Sequence, residues 1–307
     1  MTNQQTQPFL PAFAPPDPLP ERPQTLGSTK VSYANAKTIL NKATGFIGSF
    51  DYTLNPYSGC SYACTYCYAA SFTPTTELRD DWGNWVSVKQ NAEKLLAGRA
   101  PGSLDDTTIY MSSVTDPYQP IDRKVKLTRA MLENLAENHS PKLVIQTRGP
   151  HVTRDIDIFR KIEERGGRVQ VNMTITTDDE DVRRAFEPGC PSNRARARAI
   201  TEVAEAGLRT AITMTPLLMV SDPTTFARSM LATGASHFVL QSFNLNQPNQ
   251  FIAHTRDKAM GVLAEKLACD PRDVLALYIE RYERTREEIR RVIPLIAEGR
   301  EGFRPPF

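Results

Sequence analysis

Short apolar segments alternate with longer helical patterns along the middle of this 307-residue chain. Six segments rich in β-branched and apolar residues are predicted to be strands, namely residues 50–54, 108–112, 143–147, 169–175, 210–214 and 237–241. Most successive segments begin 26 to 41 residues apart, a spacing that leaves room for a helical crossover and favours parallel pairing. Six units are fewer than the eight of a closed (β/α)8 barrel. We therefore predict an α/β fold with an open, partial barrel.

Helical patterns lie between the predicted strands. Residues 124–137 carry apolar side chains at helical spacing, and residues 192–206 open with Ser192 as a predicted N-cap and end at Gly207. On the second of these helices, Arg194 and Arg198 share one face and Arg196 points elsewhere. A further pair of helices is predicted over residues 256–296, broken near Asp270.

The ends of the chain differ from the central repeat. The first thirty residues are polar and carry seven prolines, which remove backbone donors and exclude a helix or a central strand. Large apolar residues such as Phe9 and Phe13 favour an arm that docks on the rest of the protein. We predict an extended N-terminal arm over residues 1–49, a core domain over residues 50–245 and a helical C-terminal extension over residues 246–307.

The charge balance and hydropathy exclude several classes of protein. Thirty-seven basic and thirty-five acidic residues give a net charge of +2, so no strong overall field attracts nucleic acid from a distance. No segment approaches the roughly 18 uninterrupted apolar residues of a membrane helix. The first thirty residues also lack the pattern of a signal peptide. We expect a cytoplasmic, monomeric protein that does not enter a membrane.

Three of the five cysteines, Cys60, Cys64 and Cys67, fall within eight residues. Three cysteines cannot pair off as disulfides, which a reducing compartment also disfavours. A structural zinc site normally needs four protein ligands, and the next candidate ligand along the chain is His139. An iron–sulfur cluster is the remaining option, because thiolates are its usual ligands. Three thiolates would leave one iron of a four-iron cluster open to a small chelating ligand.

The cysteine spacing, with Tyr66 just before Cys67, resembles that of the radical S-adenosylmethionine (radical SAM) enzymes. Further segments resemble the spore photoproduct lyase branch, whose broader members are known as DNA repair photolyase-like proteins. These segments are residues 55–60, 113–120, 153–157, 186–189, 204–207 and 213–217. The resemblance runs from about residue 50 to about residue 241, and it implies a partial (β/α)6 barrel of the radical SAM type.

The resemblance also implies cofactors and a reaction. In the family, a [4Fe-4S] cluster held by three cysteines chelates SAM, and electron transfer into the sulfonium yields a 5′-deoxyadenosyl radical that abstracts hydrogen from a substrate. An electron donor such as flavodoxin or ferredoxin is implied as a partner. The matching metal ligands here are Cys60, Cys64 and Cys67. The matching SAM contacts are Tyr66 near the adenine, Ser113, Thr115 and Asp116 near the amino group, Arg148 at the carboxylate and Thr174 near the ribose.

One position departs from the family pattern. Spore photoproduct lyase has a hydrogen-donating cysteine where this chain has Ser113, whose O–H bond is too strong for that role. Repair of spore photoproduct by that route is therefore not expected. Cys190 is an alternative hydrogen donor, although a free cysteine also serves as a small buried apolar residue. Cys269 is predicted to be structural.

Three functions remain open at this point. The first is a radical SAM enzyme that acts on a nucleic acid or a nucleotide-like substrate. The second retains the radical chemistry but acts on a small metabolite or a nucleoside. The third is a non-catalytic iron–sulfur protein with a redox or sensory role, against which the residues that match SAM contacts count.

Overall fold

The structure is a computed structural model that describes residues 22–243 and 257–307. Within these ranges the strands are β1 (Thr25–Leu26), β2 (Thr29–Ala34), β3 (Leu40–Lys42), β4 (Tyr52–Leu54), β5 (Tyr57–Gly59), β6 (Trp85–Lys89), β7 (Thr108–Met111), β8 (Lys142–Thr147), β9 (Arg168–Thr174), β10 (Arg209–Met214), β11 (His237–Leu240) and β12 (Ala297–Glu298). The α-helices are α1 (Thr76–Asp80), α2 (Ala92–Ala97), α3 (Asp122–Val125), α4 (Leu127–Asn138), α5 (Ile156–Glu164), α6 (Glu180–Phe186), α7 (Asn193–Glu205), α8 (Pro223–Leu231), α9 (Asp257–Leu267) and α10 (Val274–Val292).

An eight-stranded sheet lies at the centre of the fold, in the order β12-β11-β10-β9-β8-β7-β4-β3. All neighbours from β4 to β12 pair in parallel, and β3 pairs with β4 in the antiparallel direction at one edge. The six predicted strands are confirmed as β4 and β7 to β11, with ends within two residues of the predicted ones. The α/β fold is therefore confirmed, and its curvature into a partial barrel stays a prediction.

The two faces of this sheet differ chemically because side chains alternate along each strand. Leu143 and Ile145 of β8 belong to the large apolar core. Gln146 of the same strand lies on the opposite face, where its Nε2 donates to the hydroxyls of Thr174 and Thr213 at 2.8 and 2.9 Å. A hydrogen-bonded polar row thus crosses three neighbouring strands near their carboxyl ends.

A second sheet of four short strands, in the order β1-β2-β6-β5, was missed by the sequence analysis. Strands β1, β2 and β3 lie in the stretch assigned to an extended arm, and β2 pairs in parallel with β6 over five residues. The predicted docking of Phe9 and Phe13 lies outside the described residues. Because β5 leads directly into Cys60, this sheet supports the start of the cysteine segment.

Two of the helix predictions had different outcomes. The prediction of one continuous helix over residues 124–137 is wrong. Lys126 has a left-handed φ of 52° and separates two helices, α3 and α4. The helix predicted over residues 192–206 is confirmed as α7, where the Ser192 side chain accepts the backbone N–H of Ala195 at 3.3 Å. Arg194 and Arg198 are exposed and Arg196 points elsewhere, as predicted, and it lies on the buried side of α7, which was not predicted.

The C-terminal region contributes to the central sheet. The two helices predicted there are confirmed as α9 and α10, with the break around Asp270. Strand β12 follows them and was not predicted, and it pairs with β11 at the sheet edge. Phe303 then packs against Phe46 with ring centroids 5.3 Å apart. No helix in residues 22–243 and 257–307 is long and apolar enough to cross a membrane.

Candidate functional site

The three clustered cysteines lie on a tight loop that begins after β5. This placement corrects the sequence analysis, which put Cys60 directly after the first strand of the main sheet, because β5 of the smaller sheet intervenes. The loop starts from Gly59, whose φ is 75° and where an added Cβ would lie 2.5 Å from the carbonyl oxygen of Trp85. Ala63 within the loop also has a positive φ of 55°. These conformations bend the loop sharply, so three cysteines are presented by eight residues.

The three thiols lie close enough to affect one another. Cys60 and Cys64 are buried and Cys67 is half-buried. Burial raises the pKa of Cys60, and the negative charges of Asp116, Cys64 and Cys67 raise it further. Nowhere in the described parts of the chain are three or more His, Cys, Asp or Glu side chains gathered tightly enough to hold one metal ion. A four-iron cluster binds each thiolate at a different iron, so this donor set fits such a cluster.

A fourth cysteine reaches the loop from a distant part of the chain. Cys190 follows α6, and its Sγ lies 3.6 Å from Sγ of Cys64. The hydrogen bond from Cys190 lowers the pKa of the Cys64 thiol, whereas burial raises the pKa of Cys190. The structure therefore brings Cys190 to the predicted cluster ligands, and a role as hydrogen donor stays a prediction.

Arg148 and Tyr66 meet around a buried carboxylate. Nη2 of Arg148 donates to the hydroxyl of Tyr66 at 3.0 Å, and that hydroxyl in turn donates to Oε1 of Glu187. The guanidinium centre of Arg148 lies 5.7 Å from the centre of the Tyr66 ring. Nε of Arg148 is buried and makes no hydrogen bond in the described structure. Nε also lies 3.8 Å from Oε1 of Glu187, so a carboxylate of the protein itself already pairs with Arg148, and a contact of Arg148 with the carboxylate of SAM stays a prediction.

Glu187 is held from its other side by Arg196. Nη2 of Arg196 lies 2.5 Å from Oε2 of Glu187, and neither side chain is exposed to solvent. The two side chains carry opposite charges and form a buried ion pair. Burial alone would raise the pKa of Glu187, but Arg196 and Arg148 outweigh it and lower the pKa to about 2. The carboxylate is therefore ionised and fixes the position of both cations.

Asp116 is the anchor of the segment that follows β7. Its carboxylate accepts from the backbone N–H groups of Tyr118 and Arg148 at 2.8 and 2.7 Å and from the Thr147 hydroxyl at 2.7 Å. Burial raises its pKa against the effect of these hydrogen bonds. Asp116 thus ties the end of β7 to the end of β8 and sets the backbone at Arg148.

The other predicted SAM contacts are hydrogen-bonded within the protein. The Thr115 hydroxyl donates to the carbonyl of Gly59 at 2.6 Å, which links it to the start of the cysteine loop. Ser113 accepts from Asn55 at 3.1 Å through its side chain and from Tyr68 through its backbone carbonyl. Thr174 belongs to the polar row described above. All three positions follow or end parallel strands, and their contacts with SAM stay predictions.

The sequence analysis missed four residues of this site. Glu187 had no role of its own there and lay only within residues 186–189, one of the segments that resemble the lyase branch, and Arg196 was predicted only to point away from Arg194 and Arg198. The sequence does contain a pattern that could have predicted the burial of Arg196, because its position lies on the same helical stripe as the apolar Ala199, Ile200 and Val203, which are buried. Tyr68 directly follows Cys67, and Phe72 ends the short helical turn that begins at Tyr68; the two residues are exposed by 42% and 64%. Nothing in their spacing predicted that two large aromatic rings would remain open beside the cluster ligands.

The chain is thus an α/β protein with a parallel sheet and a loop of three cysteines, a set of ligands that suits an iron–sulfur cluster. Residues 54–224, more than half of the chain, match the Radical SAM superfamily. The chain therefore belongs to the radical SAM superfamily. This membership implies a [4Fe-4S] cluster and SAM as cofactors and supports an enzymatic role.

The chain is also similar to individual proteins over part of their length. An uncharacterized protein of Methanocaldococcus jannaschii is 35% identical over 167 residues, which are 54% of this chain and 60% of that protein. Spore photoproduct lyase of Bacillus subtilis is 25% identical over 192 residues, 60% of this chain and 53% of the lyase. The matched region thus spans less than two thirds of the length of either relative.

Solved structures of spore photoproduct lyase share the fold. One of them superposes with a TM-score of 0.55 at 16% identity and covers 88% of this chain and 81% of the lyase chain. Another, with a TM-score of 0.53 and the same coverage and identity, is complexed with dinucleoside spore photoproduct. At this identity the likeness shows the fold alone.

Proposed function

We propose that this chain is a radical SAM enzyme acting on a nucleic-acid or nucleotide-like substrate, with Cys60, Cys64 and Cys67 as the ligands of a [4Fe-4S] cluster. When bound, the cluster supplies the electron that cleaves SAM to a 5′-deoxyadenosyl radical. The observation that carries the proposal is the meeting of Arg148 with the cysteine loop through Tyr66, one residue before Cys67. This contact supports the proposal, because a guanidinium beside the cysteine loop suits the carboxylate of an amino acid chelated there.

The chain's own residues have separate tasks in this proposal. Arg148 binds the carboxylate of SAM, and Glu187 with Tyr66 orients the guanidinium. Asp116 holds the backbone of Arg148 in place. Thr115 and Ser113 lie on the loop that faces the amino group, and Thr174 lies where strand β9 ends. An external electron donor such as flavodoxin or ferredoxin, a cytoplasmic location and a monomeric state stay predictions.

Two exposed aromatic rings support a nucleotide-like substrate. Tyr68 and Phe72 lie on the turn after Cys67, with ring centroids 6.1 Å apart and planes at 86°. Exposed aromatic rings are the usual surface on which proteins stack bases, and stacking needs no particular sequence. Electrostatic attraction of a long nucleic acid gives weaker support, because the net charge of the chain is only +2. We therefore favour a nucleotide or a short single-stranded segment over duplex DNA.

Anaerobic reconstitution tests the proposed chemistry. The full chain should bind about four irons, the content of one [4Fe-4S] cluster, and should release 5′-deoxyadenosine when dithionite and SAM are added. Cys64→Ala should abolish both, because it removes one of three iron ligands. Cys269→Ser is the matched control and should retain both. Iron binding by Cys64→Ala at the level of the unmodified chain would overturn the proposal.

A binding assay tests the substrate class. Mononucleotides, single-stranded DNA and duplex DNA are titrated into the reconstituted protein at low and high salt. We expect the protein to bind mononucleotides and single-stranded DNA. The affinity for single-stranded DNA should decrease at high salt, whereas the affinity for mononucleotides should not, because counterion release requires several phosphates. Absence of binding to all three ligands would favour a small metabolite instead.

A further inference from the structure

Cys190 lies against the cysteine loop because the segment after α6 crosses it closely. The backbone N–H of Thr65 donates to the carbonyl of Phe186 at 2.8 Å, and that of Gly189 donates to the carbonyl of Tyr62 at 3.1 Å. An added Cβ at Gly189 would lie 2.4 Å from the carbonyl oxygen of Ser61, so the two segments are in direct contact. These contacts hold Cys190 beside Cys64 although 126 positions separate them in the sequence.

The two sulfurs are near enough to bond. Sγ of Cys64 and Sγ of Cys190 are 3.6 Å apart, and both side chains are free thiols. A disulfide bond is about 2.05 Å long, so the sulfurs must approach by about 1.5 Å for the bond to form. Two backbone hydrogen bonds flank the pair and keep the segments aligned during that movement.

A small oxidant has a route to this pair. Cys190 lines a cavity of about 220 Å³ that is also formed by Tyr62, Tyr118, Arg123 and His151. A water molecule occupies about 30 Å³, so the cavity admits molecules of the size of hydrogen peroxide. Cys64 does not line this cavity, but its Sγ lies 3.6 Å from that of Cys190, so an oxidant in the cavity lies next to the pair.

We propose that Cys64 and Cys190 form a reversible disulfide in the cluster-free protein, with Cys190 acting as a capping thiol for a cluster ligand. Hydrogen peroxide oxidises one of the two thiols to a sulfenic acid and releases one water. The other thiol then attacks that sulfur, forms the S–S bond and releases a second water. A dithiol reductant returns two electrons and two protons and restores both thiols. The bonding step needs no cluster, and only its consequence for iron binding rests on the proposed function.

The bridge would control cluster assembly. A disulfide sulfur is not a thiolate, and the thiolate is the form that ligates iron. The oxidised chain therefore lacks one of three ligands and takes up no cluster until it is reduced. The same bond protects Cys64 from further oxidation to sulfinic or sulfonic acid, which is not reversed by thiols.

Peptide mapping of the full chain tests this inference. The cluster-free protein is freed of reductant, treated with one equivalent of hydrogen peroxide, alkylated and digested for mass spectrometry. We expect a peptide carrying Cys64 bridged to Cys190 and the loss of two free thiols per chain, both reversed by dithiothreitol. Cys269→Ser should form the same bridge, whereas Cys190→Ser should leave Cys64 open to alkylation.

Either of two results would overturn the inference. One is a disulfide from Cys64 to Cys60 or Cys67 in the unmodified chain, and the other is full alkylation of Cys190 after oxidation. Iron uptake is measured on the same samples before and after dithiothreitol. A chain that forms the bridge but never binds iron would refute the proposed function alone. A chain that binds iron and never forms the bridge would refute this inference alone.

Discussion

Arg196 and Glu187 form an ion pair with no solvent exposure, in which Nη2 and Oε2 lie 2.5 Å apart. Arg196 also donates to the carbonyls of Pro191 and Thr174 at 3.0 and 3.1 Å. One side chain therefore connects α7, the end of β9 and the segment that carries Cys190. Through Glu187 the same pair reaches Arg148 and Tyr66, so the geometry of the site depends on a buried charge network.

Arg196→Met should destabilise the protein by about 3–5 kcal/mol, the usual cost of removing one partner from a buried ion pair. Urea unfolding of the cluster-free chain measures the change. Arg194→Met is the matched control, because Arg194 is exposed two positions earlier on α7 and its loss should change the unfolding free energy by less than about 0.5 kcal/mol. Equal effects of the two substitutions would contradict the role of the pair.

The ion pair should also weaken in acid. Arg196 and Arg148 lower the pKa of Glu187 from 4.5 to about 2 in the folded protein. Between these two values the unfolded chain binds more protons, so the contribution of Glu187 is present above pH 4.5 and is lost as the pH falls toward 2. The difference in unfolding free energy between the unmodified chain and Glu187→Gln should therefore shrink from pH 6 to pH 3. A constant difference would mean that Glu187 acts through packing alone.

Gly189→Ala should disturb the cysteine loop. The new Cβ would lie 2.4 Å from the carbonyl oxygen of Ser61, and backbone must shift to admit it. Overpacking of this kind costs about 1–3 kcal/mol. The midpoint temperature of thermal unfolding should decrease, and so should the iron content after reconstitution. Gly261→Ala is the control, because an added Cβ there meets nothing within 4 Å and alanine favours the helix α9.

Phe72→Ala should weaken binding of the substrate rather than of SAM. The ring is 64% exposed, so its removal leaves the fold intact, whereas a stacked base contributes about 1–3 kcal/mol. Nucleotide affinity should fall about 5-fold to 150-fold on that scale, with unchanged release of 5′-deoxyadenosine in the absence of substrate. Phe307→Ala removes another exposed ring, 38% exposed, and should have no effect. Unchanged nucleotide binding by Phe72→Ala would argue against stacking on this turn.

The sequence predicted the six central strands because runs of apolar and β-branched residues at regular spacing are a local signal. It also predicted that Cys60, Cys64 and Cys67 lie on one loop, since their spacing is short, and their role as cluster ligands stays a prediction. The smaller sheet was missed because its strands have two to six residues and are held by pairing between distant segments. The roles of Glu187, Arg196 and Cys190 depend on contacts across the fold, and no local pattern shows which charge or thiol will find a partner in the core.

Strand β12 has one more consequence for the behaviour of the chain. It is only two residues long, and it pairs Ala297 with Val239 and Glu298 with Leu240. These few contacts cover part of the outer backbone of β11, which would otherwise present free N–H and C=O groups. An uncovered strand edge is a template for pairing with a strand of another molecule. We therefore expect a chain cut before Ala297 to self-associate more readily than the full chain, because the cut removes the strand that covers this edge.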